Sequence, residues 1–246
     1  MNANRQKERI SNFIKQTKAN DATAKKYLTK FNWDLESAVQ QYNHDTKPPA
    51  PQTNTKTLEN AYNKYKNPSS GDIEIEGIQQ FCADLGIEPL DPVILVISKY
   101  FKASVMGVYK KEEFTQGMTS LVCDSVDKLK SKLPALRREL TDPIKFKGIY
   151  NFVYGFSRES GMRNLSLENA VQLWRLLLAQ RFPLLENWIG FLERRERKYD
   201  ISKDTWEMLL DFLEIFEREG LAGYDPSGAW PVLIDEFVEE LTKNNS

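Results

Sequence analysis

Along most of this chain apolar side chains recur every three or four positions, the spacing that lines one face of an α-helix. Near the start they fall at Ile10, Phe13 and Ile14, then at Ala24, Tyr27 and Leu28, then at Leu35, Ala38, Val39 and Tyr42, which predicts three short helices. Asn32-Trp33-Asp34 offers capping oxygens ahead of the third, and Glu36 puts a carboxylate in its first turn. Farther on, the same period predicts a helix from Ser125 to Leu133, with Pro134 kinking or restarting the run. Another is expected from Pro143 to about Ser157 through Ile149, Phe152, Val153 and Phe156, and one opens at Ser166 with Ala170, Leu173, Leu176 and Leu177. Pro183 is expected as the first residue of the next, through Trp188, Phe191 and Leu192. Ser202 caps a helix carrying Trp206, Leu209, Leu210, Leu213 and Phe216, and Pro231 starts the last, with Leu233, Ile234, Phe237, Val238 and Leu241. No stretch alternates with period two for long enough to build a sheet, so the predicted fold is all-α.

Between the first three helices and the rest, the run from Asp45 to Thr55 holds Pro48, Pro49 and Pro51 and almost no large apolar side chain, a composition that favours an extended tether. The chain therefore divides into a small three-helix domain at 1–45, a proline-rich linker at 46–56 and a larger helical domain at 57–246. The larger domain opens with two helix-loop-helix candidates that can be set against the calcium loop of an EF-hand. Gly71 and Gly107, 36 residues apart, take the sharp-turn position, and Ile73 and Tyr109 the position two residues later. Oxygen ligands do not accompany them: the first loop position is Lys66 or Lys102, the third Pro68 or Ser104, the fifth Ser70 or Met106 and the twelfth Gly77 or Glu113. An EF-hand-like pair without calcium is expected, joined by a short strand pairing at Ile73 and Tyr109.

Charge changes the picture at the far end. Residues 200–246 carry 12 acids against 3 bases (net −9), and residues 1–199 carry 23 against 31 (net +8), so the total of −1 conceals two opposed parts. Such an end is either a docking surface for a basic protein partner or the solvated side of amphipathic helices. The basic run Arg194-Arg195-Glu196-Arg197-Lys198 is interrupted by a glutamate and reads as a solvated helix end, so no nucleic acid is expected as a partner. No apolar run reaches the roughly 18 residues that cross a bilayer, the start lacks the apolar core of a signal peptide, and Asn2 excludes myristoylation, so neither membrane nor export is expected.

Catalytic chemistry finds few candidates. Two cysteines and one histidine cannot supply the four ligands of a structural zinc, and no cofactor is expected. Cys82 falls on an apolar helical face, where a buried structural thiol is expected, and His44 lies at the edge of the small domain. Cys123 precedes Asp124-Ser125 at a helix start, where a thiolate could be mildly stabilised, with no partner visible. Phosphate-binding glycine loops and nucleophile elbows are missing from the sequence. The absence of a sustained heptad pattern favours a monomer.

Two resemblances organise these observations. Trp33-Asp34-Leu35-Glu36-Ser37-Ala38-Val39-Gln40-Gln41-Tyr42 resembles the last helix of a ubiquitin-associated domain, although Ala19-Asn20-Asp21 stands where most such domains carry a Met-Gly-Phe loop, which leaves ubiquitin binding open. Over nearly the whole chain, Lys203-Asp204-Thr205-Trp206, Leu210-Asp211-Phe212, Tyr224-Asp225, the stretch from Gly228 to Val238, Gly77-Ile78-Gln79-Gln80-Phe81-Cys82, Trp174 and Arg181-Phe182 resemble the defective-in-cullin-neddylation family. That resemblance implies a scaffold-type ligase, without a nucleophile of its own, that works beside a ring-finger subunit to attach a ubiquitin-like modifier to cullins. It implies that the cullin's C-terminal winged-helix region meets an Asp, Ala, Asp patch, matched here by Asp204, Ala229 and Asp235. It also implies an apolar pocket for the acetylated N-terminal methionine of the conjugating enzyme, matched to Ile75, Ile78, Ile94, Ile97, Phe101, Tyr109, Phe156 and Leu176. The cytoplasm and nucleus are the expected location. A ubiquitin-binding adaptor that promotes no transfer is the competing interpretation.

Overall fold

The computed structural model describes residues 3–46, 53–196 and 199–244. By contact the chain forms two compact units, 1–52 and 53–246, each with its own core. In the first, α1 (Ala3–Thr17), α2 (Asp21–Lys30) and α3 (Leu35–Thr46) enclose Phe13, Ala24, Leu28 and Ala38. Asn20 caps α2 by accepting from the Thr23 amide at 2.9 Å, and Asp34 caps α3 by accepting from the Ser37 amide at 3.0 Å. Tyr42 sets its ring edge-on to Phe13 and Tyr27, with centroids 5.4 and 5.3 Å away.

The second unit runs α4 (Thr55–Tyr65), α5 (Ile75–Leu85), α6 (Val93–Phe101), α7 (Lys111–Ser120), α8 (Val126–Glu139), α9 (Pro143–Phe156), α10 (Leu167–Leu178), α11 (Leu185–Arg194), α12 (Lys203–Glu219) and α13 (Val232–Asn244). Helical order thus enters both ends of the expected tether: Thr46 closes α3, and α4 begins at Thr55 because the Asn54 side chain accepts from the Lys56 and Thr57 amides and Leu58 is buried. The centre of that tether, 47–52, lies outside the described residues. The α4–α5 and α6–α7 loops meet through one antiparallel bridge, with Ile73 donating to the Tyr109 carbonyl at 3.0 Å and Tyr109 returning a bond at 2.8 Å. Gly71 and Gly107 take φ of 82° and 83°, a left-handed turn that costs a side chain steric strain. Glu113, the only carboxylate at the loop positions tested, turns inward and accepts from the Ser104 and Lys110 amides, each at 3.0 Å.

Several boundaries differ from expectation. α8 continues through Pro134, since Leu129, Leu133 and Leu136 form one buried stripe whose packing outweighs the hydrogen bond a proline removes, a loss of about 3 kcal/mol. Pro183 stands two residues ahead of α11, in a turn where the Leu185 amide reaches the Phe182 carbonyl at 3.1 Å. Pro231 immediately precedes α13, its carbonyl accepting from Ile234 at 2.8 Å. Ser202 caps α12 as expected, while Ser125 and Ser166, expected as first helical residues, stand one residue earlier and cap α8 and α10. At the centre, Trp174, Trp188 and Trp206 are fully buried. Removing about 200 Å² of ring from water is worth roughly 5 kcal/mol for each, before ordering costs.

Candidate functional site

Two regions gather the residues singled out from the sequence. The first is a cavity of about 560 Å³ walled by α5, α6, the α6–α7 loop, the end of α9 and α10. Ile75, Ile78, Ile94, Tyr109, Phe156 and Leu176 line it together. Ile97 and Phe101 do not: both are buried behind it, Phe101 packing edge-on against Tyr109 and Phe114 with centroids at 5.1 and 5.4 Å. α6 is apolar and buried on every side from Val93 to Ile97, so periodicity cannot tell its cavity face from its core face. Ser98 and Leu95 are the α6 residues that join Ile94 in the lining.

The cavity floor is uncharged but polar at one point. Ser98 Oγ donates to the Ile94 carbonyl at 2.8 Å and lies 2.6 Å from the Tyr109 hydroxyl, and both residues are buried. Burial raises the Tyr109 phenol well above its ordinary value, so it stays neutral. At the mouth, Ile75, Leu90 and Met106 are 64%, 78% and 43% exposed, an unusual density of water-facing apolar side chains. The Met106 amide donates to the Phe156 carbonyl at 3.0 Å, which fastens the loop to α9. Sequence reasoning missed Gln79, Asn169, Gln172 and Ser157, which add hydrogen-bonding groups; Ser157 Oγ is buried without a partner. Ser157 carried only a boundary signal, as the residue that ends α9. An apolar chamber with a few neutral polar groups suits an uncharged group, because burying a charge without a counter-ion is costly.

The second region is the acidic end. Ala229 lies exposed in the loop before α13, and Asp235 in the first turn of that helix accepts from the Tyr224 hydroxyl at 2.5 Å. Burial, then the adjoining Asp235, pushes the Tyr224 phenol up to about 12. The loop is held internally: Asp225 accepts from the Ser227 amide and hydroxyl at 2.9 and 2.7 Å, bonds that lower its pKa, and the Trp230 indole donates to the Asp225 carbonyl at 3.0 Å. Trp230 and Tyr224 both pack on Phe212, and Val232 beside them is 68% exposed. Asp204, in the first turn of α12, is eight residues from Phe212, about 12 Å along the helix. It lines a second cavity of about 500 Å³ with Asn151, Tyr154, Arg158, Arg163 and Lys203.

Part of the acidic excess is spent inside the unit. Arg195 meets Glu236 at 2.6 Å, Arg194 pairs with Glu240, and Lys147 pairs with Asp211. The basic run at 194–198 thus supplies partners to α13; its Arg197 and Lys198 lie outside the described residues. Both thiols are buried, which pushes Cys82 up to about 11 and raises Cys123 as well. Cys123 precedes Asp124 and the capping Ser125 as expected, but burial disfavours its thiolate there.

Comparison with known proteins covers both units. Residues 7–44 match a family described as UBA-like domain, and residues 128–240 match one described as Cullin binding. The chain is 30% identical over 268 residues to Defective in cullin neddylation protein 1 of Caenorhabditis elegans, an alignment spanning 97% of this chain and 90% of that protein. It is 30% identical over 227 residues to the protein of the same name in Yarrowia lipolytica, spanning 92% of each. With the human DCN1-like protein 5 it shares 41% identity over 165 residues, 67% of this chain and 68% of the relative.

Proposed function

The chain belongs to the defective-in-cullin-neddylation family, and on that premise we propose that it is a scaffold-type co-ligase for cullin neddylation. In this role its second unit holds the C-terminal winged-helix region of a cullin at Ala229, Asp235 and Asp204, and takes the acetylated N-terminus of the neddylation conjugating enzyme into the apolar cavity. The observation that carries the proposal is the chemistry of that cavity: apolar walls, exposed apolar residues at the mouth and a neutral Ser98–Tyr109 floor. Acetylation turns a charged amine into an amide, which such a chamber can accept at little cost. Tyr224 orients the Asp235 carboxylate toward a basic donor, and small Ala229 leaves room for close approach.

Rate enhancement then comes from geometry and effective concentration, with the charged conjugating enzyme held against the acceptor lysine beside a ring-finger subunit. The protein forms no covalent intermediate, acts as a monomer and works in cytoplasm and nucleus. The first unit, with α1 to α3, is the candidate surface for ubiquitin. A single-turnover cullin modification assay tests the proposal, comparing no addition, wild type and Asp235→Ala. Acceleration by wild type alone supports it; no acceleration by wild type leaves only an adaptor that promotes no transfer.

A further inference from the structure

The cavity beside Asp204 differs from the apolar one in every chemical respect. Its lining brings Arg158, Arg163 and Lys203 around one acid, Asp204, at the point where α9, the segment after it and the start of α12 meet. Arg163 and Lys203 are exposed, and among the described residues Lys203 makes a long pairing with Glu207 at 3.7 Å. Two polar atoms of its lining residues, Arg158 Nε and Asn151 Oδ1, are buried with no hydrogen-bond partner among the described residues. Both atoms are closed off inside the fold, so the charge presented to a ligand comes from Arg163 and Lys203 at the open side.

The guanidinium geometry says which acceptor fits. Arg158 Nη1 donates to the Arg163 carbonyl at 2.9 Å, and the guanidinium lies 5.8 Å from the centre of the Tyr154 ring. Its Nε is sealed from solvent, so the fork a partner can reach is the exposed Arg163 guanidinium, which can take a carboxylate side-on through two parallel bonds. Elsewhere in the same fold Arg175 makes that grip on Glu186, at 3.1 Å from Nε and 3.0 Å from Nη2.

We infer that this cavity is a carboxylate subsite, and that its occupant is an acidic side chain of the protein partner that Asp204 also meets. The inference rests on the proposed cullin-docking surface and deepens it. Asp204 recruits a basic group while Arg163 and Lys203, in the same cavity, recruit an acidic one, so the partner must present both charges side by side. A partner carrying only basic groups meets uncompensated cations there, which makes the site a selector as well as an anchor.

Gly155 gives a clean way to test this. It lines the cavity, and a Cβ added there would meet nothing within 4 Å, so a substitution at this position starts into open space and Gly155→Leu narrows the cavity. Isothermal titration of the full chain with a cullin C-terminal domain is expected to show at least tenfold weaker binding for Gly155→Leu and for Arg163→Gln, at unchanged thermal midpoints. Arg163→Glu is expected to be weaker still. Wild-type affinity in Gly155→Leu and Arg163→Gln, with Asp235→Ala inactive, would overturn the subsite and leave the docking surface standing. Equal effects of the Gln and Glu substitutions would overturn its ionic nature. If the wild type itself does not bind the cullin domain, the parent proposal falls and this one falls with it.

Discussion

Tyr150 and Trp206 are joined three times over. Their rings stack at 4.5 Å, the Tyr150 hydroxyl donates to the Trp206 carbonyl at 2.8 Å, and the Trp206 indole donates to the Tyr150 carbonyl at 3.0 Å. The Trp174 indole donates to the same hydroxyl at 3.0 Å, so α9, α10 and α12 share one buried knot. α9 is also the common wall of the two cavities: Phe156 faces the apolar one, and Asn151 and Tyr154 face the other.

Tyr150→Phe keeps the ring and removes the hydroxyl, stranding the Trp174 indole in a dry core and leaving the Trp206 carbonyl with its helical bond alone. A loss of about 1–3 kcal/mol is expected, read by chemical denaturation with unchanged slope. Stability within 0.3 kcal/mol of wild type, roughly the scatter of such measurements, would mean that water reaches the knot.

Leu176→Arg sets a charge among apolar cavity walls. Fluorescence polarisation is expected to show the acetylated conjugating-enzyme peptide binding at least tenfold more weakly, about 1.4 kcal/mol, with cullin binding unchanged. With the wild-type protein, the unacetylated peptide should bind more weakly than the acetylated one; equal affinities would remove the cavity from the proposal.

Asp235→Ala is expected to abolish cullin binding, whereas Tyr224→Phe removes only the hydroxyl that orients the carboxylate. The second should cost about 0.5–1.5 kcal/mol, up to roughly tenfold in Kd by titration calorimetry. If Tyr224→Phe matched Asp235→Ala, the tyrosine would have to be a contact in its own right.

Cys82 and Cys123 should resist a thiol reagent in the native protein at pH 8 and react fully in denaturant. Burial holds the folded Cys82 thiol at about 11 against an ordinary 9.0, so the unfolded chain ionises first. The associated stability is present below pH 9 and is lost as pH rises from 9 through about 11, which denaturation midpoints across that range will report. Rapid native labelling would contradict the burial.

Helix starts were legible because Ser125, Ser166 and Ser202 are chemically suited to cap, and a cap is a local event. Pro134 misled because its cost is local and the compensating packing of Leu129, Leu133 and Leu136 is not. The cavity residues divide on the same principle. Ile75, Ile78, Phe156 and Leu176 came from segment matching and do line it, but Ile97 and Phe101 belong to a helix with no polar face to orient it. Leu90 and Met106 are loop residues, whose exposure is decided by the tertiary path of the chain. Arg158 was not legible at all, since a single arginine after a helix carries no sign that its Nε will be sealed from water.

The Ile73–Tyr109 rung has one more consequence. Tyr109 offers its backbone to the rung and its hydroxyl to the cavity floor, so whatever settles on that floor also loads the rung. Amide hydrogen exchange at Ile73 and Tyr109 is therefore a built-in gauge of occupancy: the two protons should slow together when the chamber fills, long before any global change is visible.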